Sequence, residues 1–339
     1  MKKKFIALML SLLLAAGLFG CSNKPSGEGG EESLRIVCTI FPQYDWVRQI
    51  MGDLAGNAEL TLLLDSGVDL HSYQPTAEDI LKVSDCDLFI YVGGESDAWV
   101  EDALAESGNP DRIALNLMEA LGEAVKEEEI VEGMEAEEHE HEDEEHEGEE
   151  HEGEEHEDEE HEFDEHVWLS LKNAKLCCAA IADALSSLDA DNADAYRAND
   201  EAYAAELDAL DGEYASAVGQ ASLKTVLFGD RFPFRYLVDD YALTYYAAFV
   251  GCSAETEASF ETVVFLANKM DELQLPAVLV IEGSDQKLAG AILENTANPE
   301  RPVLVMDSLQ SVTGEQAAGG KTYLAVMQSN LEVLREALG

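Results

Sequence analysis

Eight histidines stand among the 339 residues, and they fall into two groups that could do different work. Six of them (His139, His141, His146, His151, His156 and His161) lie in one acidic run. The other two stand outside it, His71 in "GVDLHSYQPT" and His166 at the head of "HVWLS". Neutral imidazole and carboxylate are the usual nitrogen and oxygen ligands of Zn²⁺, bound at ~2.0–2.2 Å. A lone loop histidine is most simply a solvated side chain. Two of them, with acids in reach, make a metal site the stronger reading. Metal-assisted hydrolysis is the competing chemistry for such a set. No His-Glu-x-x-His motif sets a base beside the candidate ligands, so an enzyme is not expected. No Cys-x-x-Cys pattern occurs, so a thiolate zinc site is not indicated either.

The elements that must position these residues alternate between strand and helix. Apolar segments 34–40, 60–64 and 87–92 read as strands, the first ended by Phe41-Pro42 and the third by Gly93-Gly94. His71 falls in the loop that follows the second. Residues 44–51 have helical spacing with Gly52 as a stop, and Thr76 with Asp79 three residues on reads as a capping box. In the second half, 225–228, 277–281 and 303–306 are fully apolar, as buried parallel strands are. Helical stretches near 259–272, 285–295 and 322–338 separate or follow them. Asp230, Glu282 and Asp307 come directly after those strands. Ligands in open α/β sheets bind at carboxyl strand ends, so these acids mark where a site would be built. The pattern predicts an α/β protein with two lobes, each a mostly parallel sheet. Between them, Tyr196, Tyr203, Leu207, Leu210, Tyr214 and Val218 line one face of a helix over 192–220, ~40 Å long at 1.5 Å per residue. Such a helix either bridges the lobes or packs on one.

The chain's start reads as a secretory leader: Lys2–Lys4, an apolar run to Phe19, then Gly20-Cys21. The run is shorter than the ~20 residues of a comfortable membrane span. Cleavage before Cys21 with lipid on its thiol, followed by a Gly/Ser-rich tether, places the mature chain on the outer face of a membrane. The formal net charge is −51, and residues 127–165 carry 25 of the 71 acids with no Lys or Arg. Such a field attracts cations and repels nucleic acid. Within that tract histidine recurs every five residues, a period matching neither helix nor strand, and the composition argues for disorder. Cys38 and Cys86 lie in strand-like runs and could pair outside the cytoplasm, although buried free thiols are the commoner case. Cys177 and Cys178 read as helix residues, and Cys252 is the remaining cysteine.

The segments "TIFPQYDWV", "LLLDSGVDLHSYQPTAEDI", "CDLFIYVGGESDAWV", "EHVWLSLKNA", "AYRANDEAYAAELDALDGEY" and "GGKTYLAVMQSNLEVL" appear in order. Together they resemble the cluster A-I solute-binding lipoproteins of ABC transporters, which capture zinc or manganese outside the cell. The resemblance covers essentially all the mature chain. It implies two α/β lobes joined by a long rigid helix, with metal held in the cleft between them. In domain terms it implies a signal peptide over 1–20, a lipidated Cys21 and tether over 21–33, and a first lobe over 34–190 containing a disordered acidic loop at 123–165. A linker helix over 191–220 and a second lobe over 221–339 follow. Carried over motif by motif, it implies His71, His166 and Asp307 as metal ligands. The third position departs: relatives place His or Glu shortly before a Phe-Gly-Tyr-Leu element, and here "LFGDRFPFRYL" puts Arg231 there. Arginine cannot coordinate a cation. Asp230, Glu282 or a water would complete the shell, unless Asp230 instead pairs with Arg231 or Arg235.

Two imidazoles with one or two carboxylates suit Zn²⁺, and a site richer in oxygen would suit Mn²⁺. The expected role is extracytoplasmic metal capture by a lipid-anchored monomer that delivers to an ABC permease. A manganese-binding relative and a surface adhesin whose metal is only structural are the alternatives. The histidines of the acidic tract would act as weak, exchangeable ligands. Because ligation needs neutral histidine, capture should weaken as pH falls towards ~6.

Overall fold

The computed structural model describes residues 33–105, 108–135, 162–253 and 258–339. Cys21 and the six tract histidines lie outside the described residues. Two four-stranded sheets, all parallel, organise the chain. The first comprises β1 (Arg35–Cys38), β2 (Glu59–Leu62), β3 (Leu88–Tyr91) and β4 (Ile113–Asn116), in the order β2-β1-β3-β4. The second comprises β5 (Thr225–Phe232), β6 (Thr244–Val250), β7 (Val278–Ile281) and β8 (Val303–Met306), in the order β6-β5-β7-β8. The apolar composition of β3 and β7 follows from burial on both faces. Two strands were not legible in the sequence. β4 is four residues of mixed character at a sheet edge, and β6 is rich in the aromatics strands favour but has no alternation to mark it.

The helices are α1 (Phe41–Met51), α2 (Ala77–Asp85), α3 (Trp99–Ala105), α4 (Leu117–Leu121), α5 (Leu171–Leu188), α6 (Ala193–Gln220), α7 (Arg235–Asp240), α8 (Phe260–Glu272), α9 (Lys287–Glu294), α10 (Gly314–Ala318) and α11 (Tyr323–Leu338). Phe41-Pro42, read from sequence as the end of a strand, instead opens α1. Proline in a first helical turn loses no hydrogen bond, because that N–H has no helical partner anyway. Thr76 and Asp79 form the capping box of α2 in both directions.

The 28-residue α6 buries the six apolar residues its spacing predicts, Tyr196 through Val218. It packs on α1 and α5 of the first lobe and on the C-terminal α11. Asn199 donates from Nδ2 to the Ile50 carbonyl at 2.9 Å, and the Tyr214 hydroxyl donates to the Met327 carbonyl at 2.6 Å. The helix therefore spans both lobes rather than lying on one.

Order extends into the acidic region at both ends. Glu127 and Phe163 form an antiparallel bridge, and Glu135 bridges in parallel to Phe249 of β6. The Glu135 carboxylate also accepts the Ser259 N–H at the start of α8. Backbone around Glu127, Phe163 and Glu135 is thus paired, within the stretch read as unstructured from sequence. All five described cysteines are free, so Cys38 and Cys86 are unbridged. Among the described residues no helix is long and apolar enough to cross a membrane.

Candidate metal centre

The carboxyl ends of the two sheets face each other across a cleft. From the first lobe, the loop after β2 tightens into a single turn over Leu70–Ser72. Asp69 caps that turn, its Oδ1 accepting the His71 N–H at 3.0 Å. After β3 the backbone turns through Gly93 and Gly94, both at positive φ. At Gly94 a Cβ would lie 2.4 Å from Glu165 Oε1, so only glycine lets this turn close on the carboxylate. The turn presents Ser96, whose N–H donates to Glu165 Oε1 at 2.9 Å and whose Oγ lies 2.8 Å from His71 Nδ1. Glu165 Oε2 is 3.6 Å from the same Nδ1, near enough for attraction but beyond a hydrogen bond.

His166 comes from the segment that leads into α5 and is fully buried. Asp164 Oδ1 receives both its backbone N–H (2.8 Å) and its Nδ1 (2.9 Å). The Tyr236 hydroxyl donates to the Asp164 carbonyl at 2.7 Å and accepts the Lys126 N–H at 3.0 Å, so the orienting group is itself held. Trp168 lies against the imidazole, with centroids 5.3 Å apart, and its Nε1 donates to the Ser308 carbonyl of the second lobe.

With their Nδ1 atoms occupied, both rings turn Nε2 inward, and the two Nε2 atoms stand 3.1 Å apart. Burial, together with the charge of His166, lowers His71 to a pKa of about 3. Burial also pushes His166 down, but Asp164, Glu165 and Asp69 outweigh it and raise its pKa above the ordinary value. The two environments thus favour the proton on His166 over His71.

The second lobe faces this pair with residues that mostly hold partners of their own. β5 carries a bulge between Phe228 and Arg231, the device by which a strand re-aims its side chains. Arg231 is turned onto Asp69 in a close ion pair and donates to the Ser253 carbonyl. Asp230 accepts the Arg231 N–H through Oδ1, and its buried Oδ2 has no partner. Glu282 is buried and receives the Ser308 N–H (2.6 Å), the Ser308 hydroxyl (2.8 Å) and the Ser311 hydroxyl (3.2 Å). Burial and the nearby Asp307 raise its pKa. Asp307 pairs with Lys321 at 2.7 Å and accepts the Leu309 N–H. The structure thus brings together His71 and His166. Asp230, Glu282 and Asp307 stand at the strand ends with other partners, the first two lining a separate cavity of about 780 Å³ with Asp69 and Arg231.

Two residues near the histidines carried no signal in the sequence. Leu309, held at φ 65°, turns the loop after β8 so that the buried Gln310 reaches inward. With its amide nitrogen 3.1 Å from both Asp69 oxygens, Gln310 sets its carbonyl oxygen 3.1 Å from His166 Nε2. The other is Cys252, in the turn after β6. His71, Cys252, Glu128 and Glu165 share a cavity of about 350 Å³.

The family model described as "Zinc-uptake complex component A periplasmic" matches residues 36–337. The zinc-binding lipoprotein AdcA of Streptococcus pneumoniae is 32% identical over 335 residues, covering 98% of this chain. The chain spans 61% of that relative's length. The high-affinity zinc uptake system protein ZnuA of Bacillus subtilis is 28% identical, with 96% of this chain and 94% of the relative aligned. Among solved structures, the Zn(II)-bound ZnuA-like domain of S. pneumoniae AdcA superimposes with a TM-score of 0.67 at 26% identity. That match covers 90% of this chain and 99% of the domain.

Proposed function

The chain belongs to the family of periplasmic zinc-uptake component A proteins, and from that premise we propose that it captures Zn²⁺ in its cleft and delivers it to an ABC permease for import. The observation that carries this is the inward-facing pair of Nε2 atoms, 3.1 Å apart. Two imidazoles on one tetrahedral zinc, each at 2.0–2.1 Å, stand about 3.3 Å apart. Their separation therefore needs to change little to admit the ion. Ser96 and Asp164 occupy the Nδ1 side of each ring, the outer partnership that fixes the orientation of metal-binding histidines. Family relatives named for zinc binding and zinc uptake support zinc over manganese as the cargo. The chain has no covalent chemistry to perform, and metal passes through it unchanged.

The same proposal assigns the acyl anchor to Cys21, in keeping with the lipoprotein name of the AdcA relative. Metal capture then occurs at the outer membrane face, by a monomer, with the tract histidines His139 to His161 acting as weak collectors. The test is chelator-competed titration of the purified protein with Zn²⁺ and Mn²⁺. The parent should hold one tight zinc that His71→Ala loses. A tight site indifferent to His71→Ala would defeat the assignment.

A further inference from the structure

Two imidazoles leave a zinc ion half coordinated; of the strand-end acids, Glu282 and Asp307 are engaged by Ser308, Ser311 and Lys321, and Asp230 holds the Arg231 N–H through Oδ1 only. Among the described residues, one group of His, Cys, Asp and Glu side chains brings three donor atoms within 4.8 Å of one another: His71, His166 and Cys252. Cys252 reaches the pair because of its neighbour. At Gly251 a Cβ would lie 2.8 Å from the Phe232 carbonyl oxygen and 2.9 Å from His166 Cε1, so only glycine lets the end of β6 run against the imidazole. The thiol opens into the same cavity as His71 and donates to the Glu128 carboxylate.

We propose that Cys252 is a ligand of the captured ion, its Sγ joining His71 Nε2 and His166 Nε2; this inference rests on the metal-capture function proposed above. Zinc takes thiolate sulfur at ~2.3 Å, which sets sulfur about 3.6 Å from each ligating nitrogen in a tetrahedral shell. The nitrogens are already near their required separation, and rotation about the Cα–Cβ bond of Cys252 is the movement by which Sγ would close on them. As the Zn–S bond forms the S–H bond breaks, and the proton leaves through the cavity to solvent. A sulfur ligand also settles selectivity: soft thiolate favours zinc, and manganese prefers oxygen.

The experiment titrates the purified protein with Co²⁺ to one equivalent and, separately, with Zn²⁺ against a chelator, in the parent, Cys252→Ser and His71→Ala. A near-ultraviolet thiolate-to-cobalt band should grow to one equivalent in the parent and be absent from Cys252→Ser. Histidine and carboxylate ligands elsewhere in the chain cannot produce that band. Zinc affinity of Cys252→Ser should fall by at least ~10-fold, the minimum cost of disturbing even an outer partner, and the preference over Mn²⁺ should narrow. Zinc should also protect Cys252 of the parent from iodoacetamide, a readout that requires no variant. Cobalt bound at a His71-dependent site without the sulfur band, or Cys252 alkylated equally with and without zinc, would overturn the inference and leave metal capture standing. A parent with no tight site, or one that His71→Ala leaves intact, would defeat the capture function and this inference with it.

Discussion

The two lobes repeat one wiring, β2-β1-β3-β4 in the first and β6-β5-β7-β8 in the second, yet their strand ends carry different chemistry. In the first lobe, the segments at the cleft hold two imidazoles whose outer nitrogens are occupied and whose inner nitrogens face each other at 3.1 Å. In the second, Arg231, Glu282 and Asp307 are each tied to a charged or hydroxyl-bearing partner of the protein. The lesson is that position at a strand end selects candidates, and partners decide among them. Glu282 receives three hydrogen bonds from Ser308 and Ser311, which fix its carboxylate where it stands.

Substitutions on the two sides should therefore separate by size. The largest effect is expected from His71→Ala and His166→Ala, each lowering zinc affinity by at least ~100-fold, or ~2.8 kcal/mol, in chelator competition. Next comes Asp69→Ala, which removes the cap on the His71 turn and the partner of Arg231. An outer-shell loss of this kind costs ~10–100-fold in metal affinity. Asp307→Asn and Asp230→Asn should change zinc affinity by less than ~10-fold. Glu282→Ala should likewise spare the metal but cost ~1–3 kcal/mol of stability in denaturant unfolding, because Ser308 and Ser311 lose their buried acceptor. If Asp307→Asn matched His71→Ala, the contrast between the lobes would fail. Deleting residues 136–161 should have the smallest effect, within a few-fold at the tight site, with loss of the weak additional equivalents.

Acid sharpens the same contrast. His166 has a raised pKa, so its proton competes with metal until the pH exceeds that raised value, and zinc affinity should fall as the pH drops through it. His71, at about 3, stays neutral throughout and adds nothing to that limb. For the metal-free fold the signs differ. The charged His166–Asp164 pair contributes stability that is fully present below the unfolded pKa of ~6.5 and is lost as pH rises through the folded value. The depressed His71 instead costs stability progressively as pH falls from ~6.5 towards 3. Asp164→Asn should shift the acid limb of zinc binding to lower pH, measured by chelator competition across pH. An unmoved limb would mean that Asp164 does not set the His166 proton.

Much of this was legible in the chain itself. The parallel sheets, the buried face of α6 and the Thr76 capping box follow from local periodicity and spacing. His71 and His166 stood out because each lies in a loop leading into a helical turn, His166 where the acidic run gives way to Val-Trp-Leu. What could not be read was which distant group each strand-end residue would meet. Nothing near Asp307 announces Lys321, and nothing near Arg231 announces Asp69. Cys252 and Gln310 approach the histidines only through long-range packing, by the close pass of Gly251 and the left-handed turn at Leu309. The short edge strand β4 and the paired backbone around Glu127 and Glu135 escaped for the same reason: their partners are remote in sequence.

The most direct test of the central claim is anomalous scattering at the zinc edge from crystals of the zinc-loaded protein. The account predicts a single strong peak bonded to Nε2 of both His71 and His166. A peak lodged among Asp230, Glu282 and Asp307, with the two imidazoles still facing each other, would contradict it.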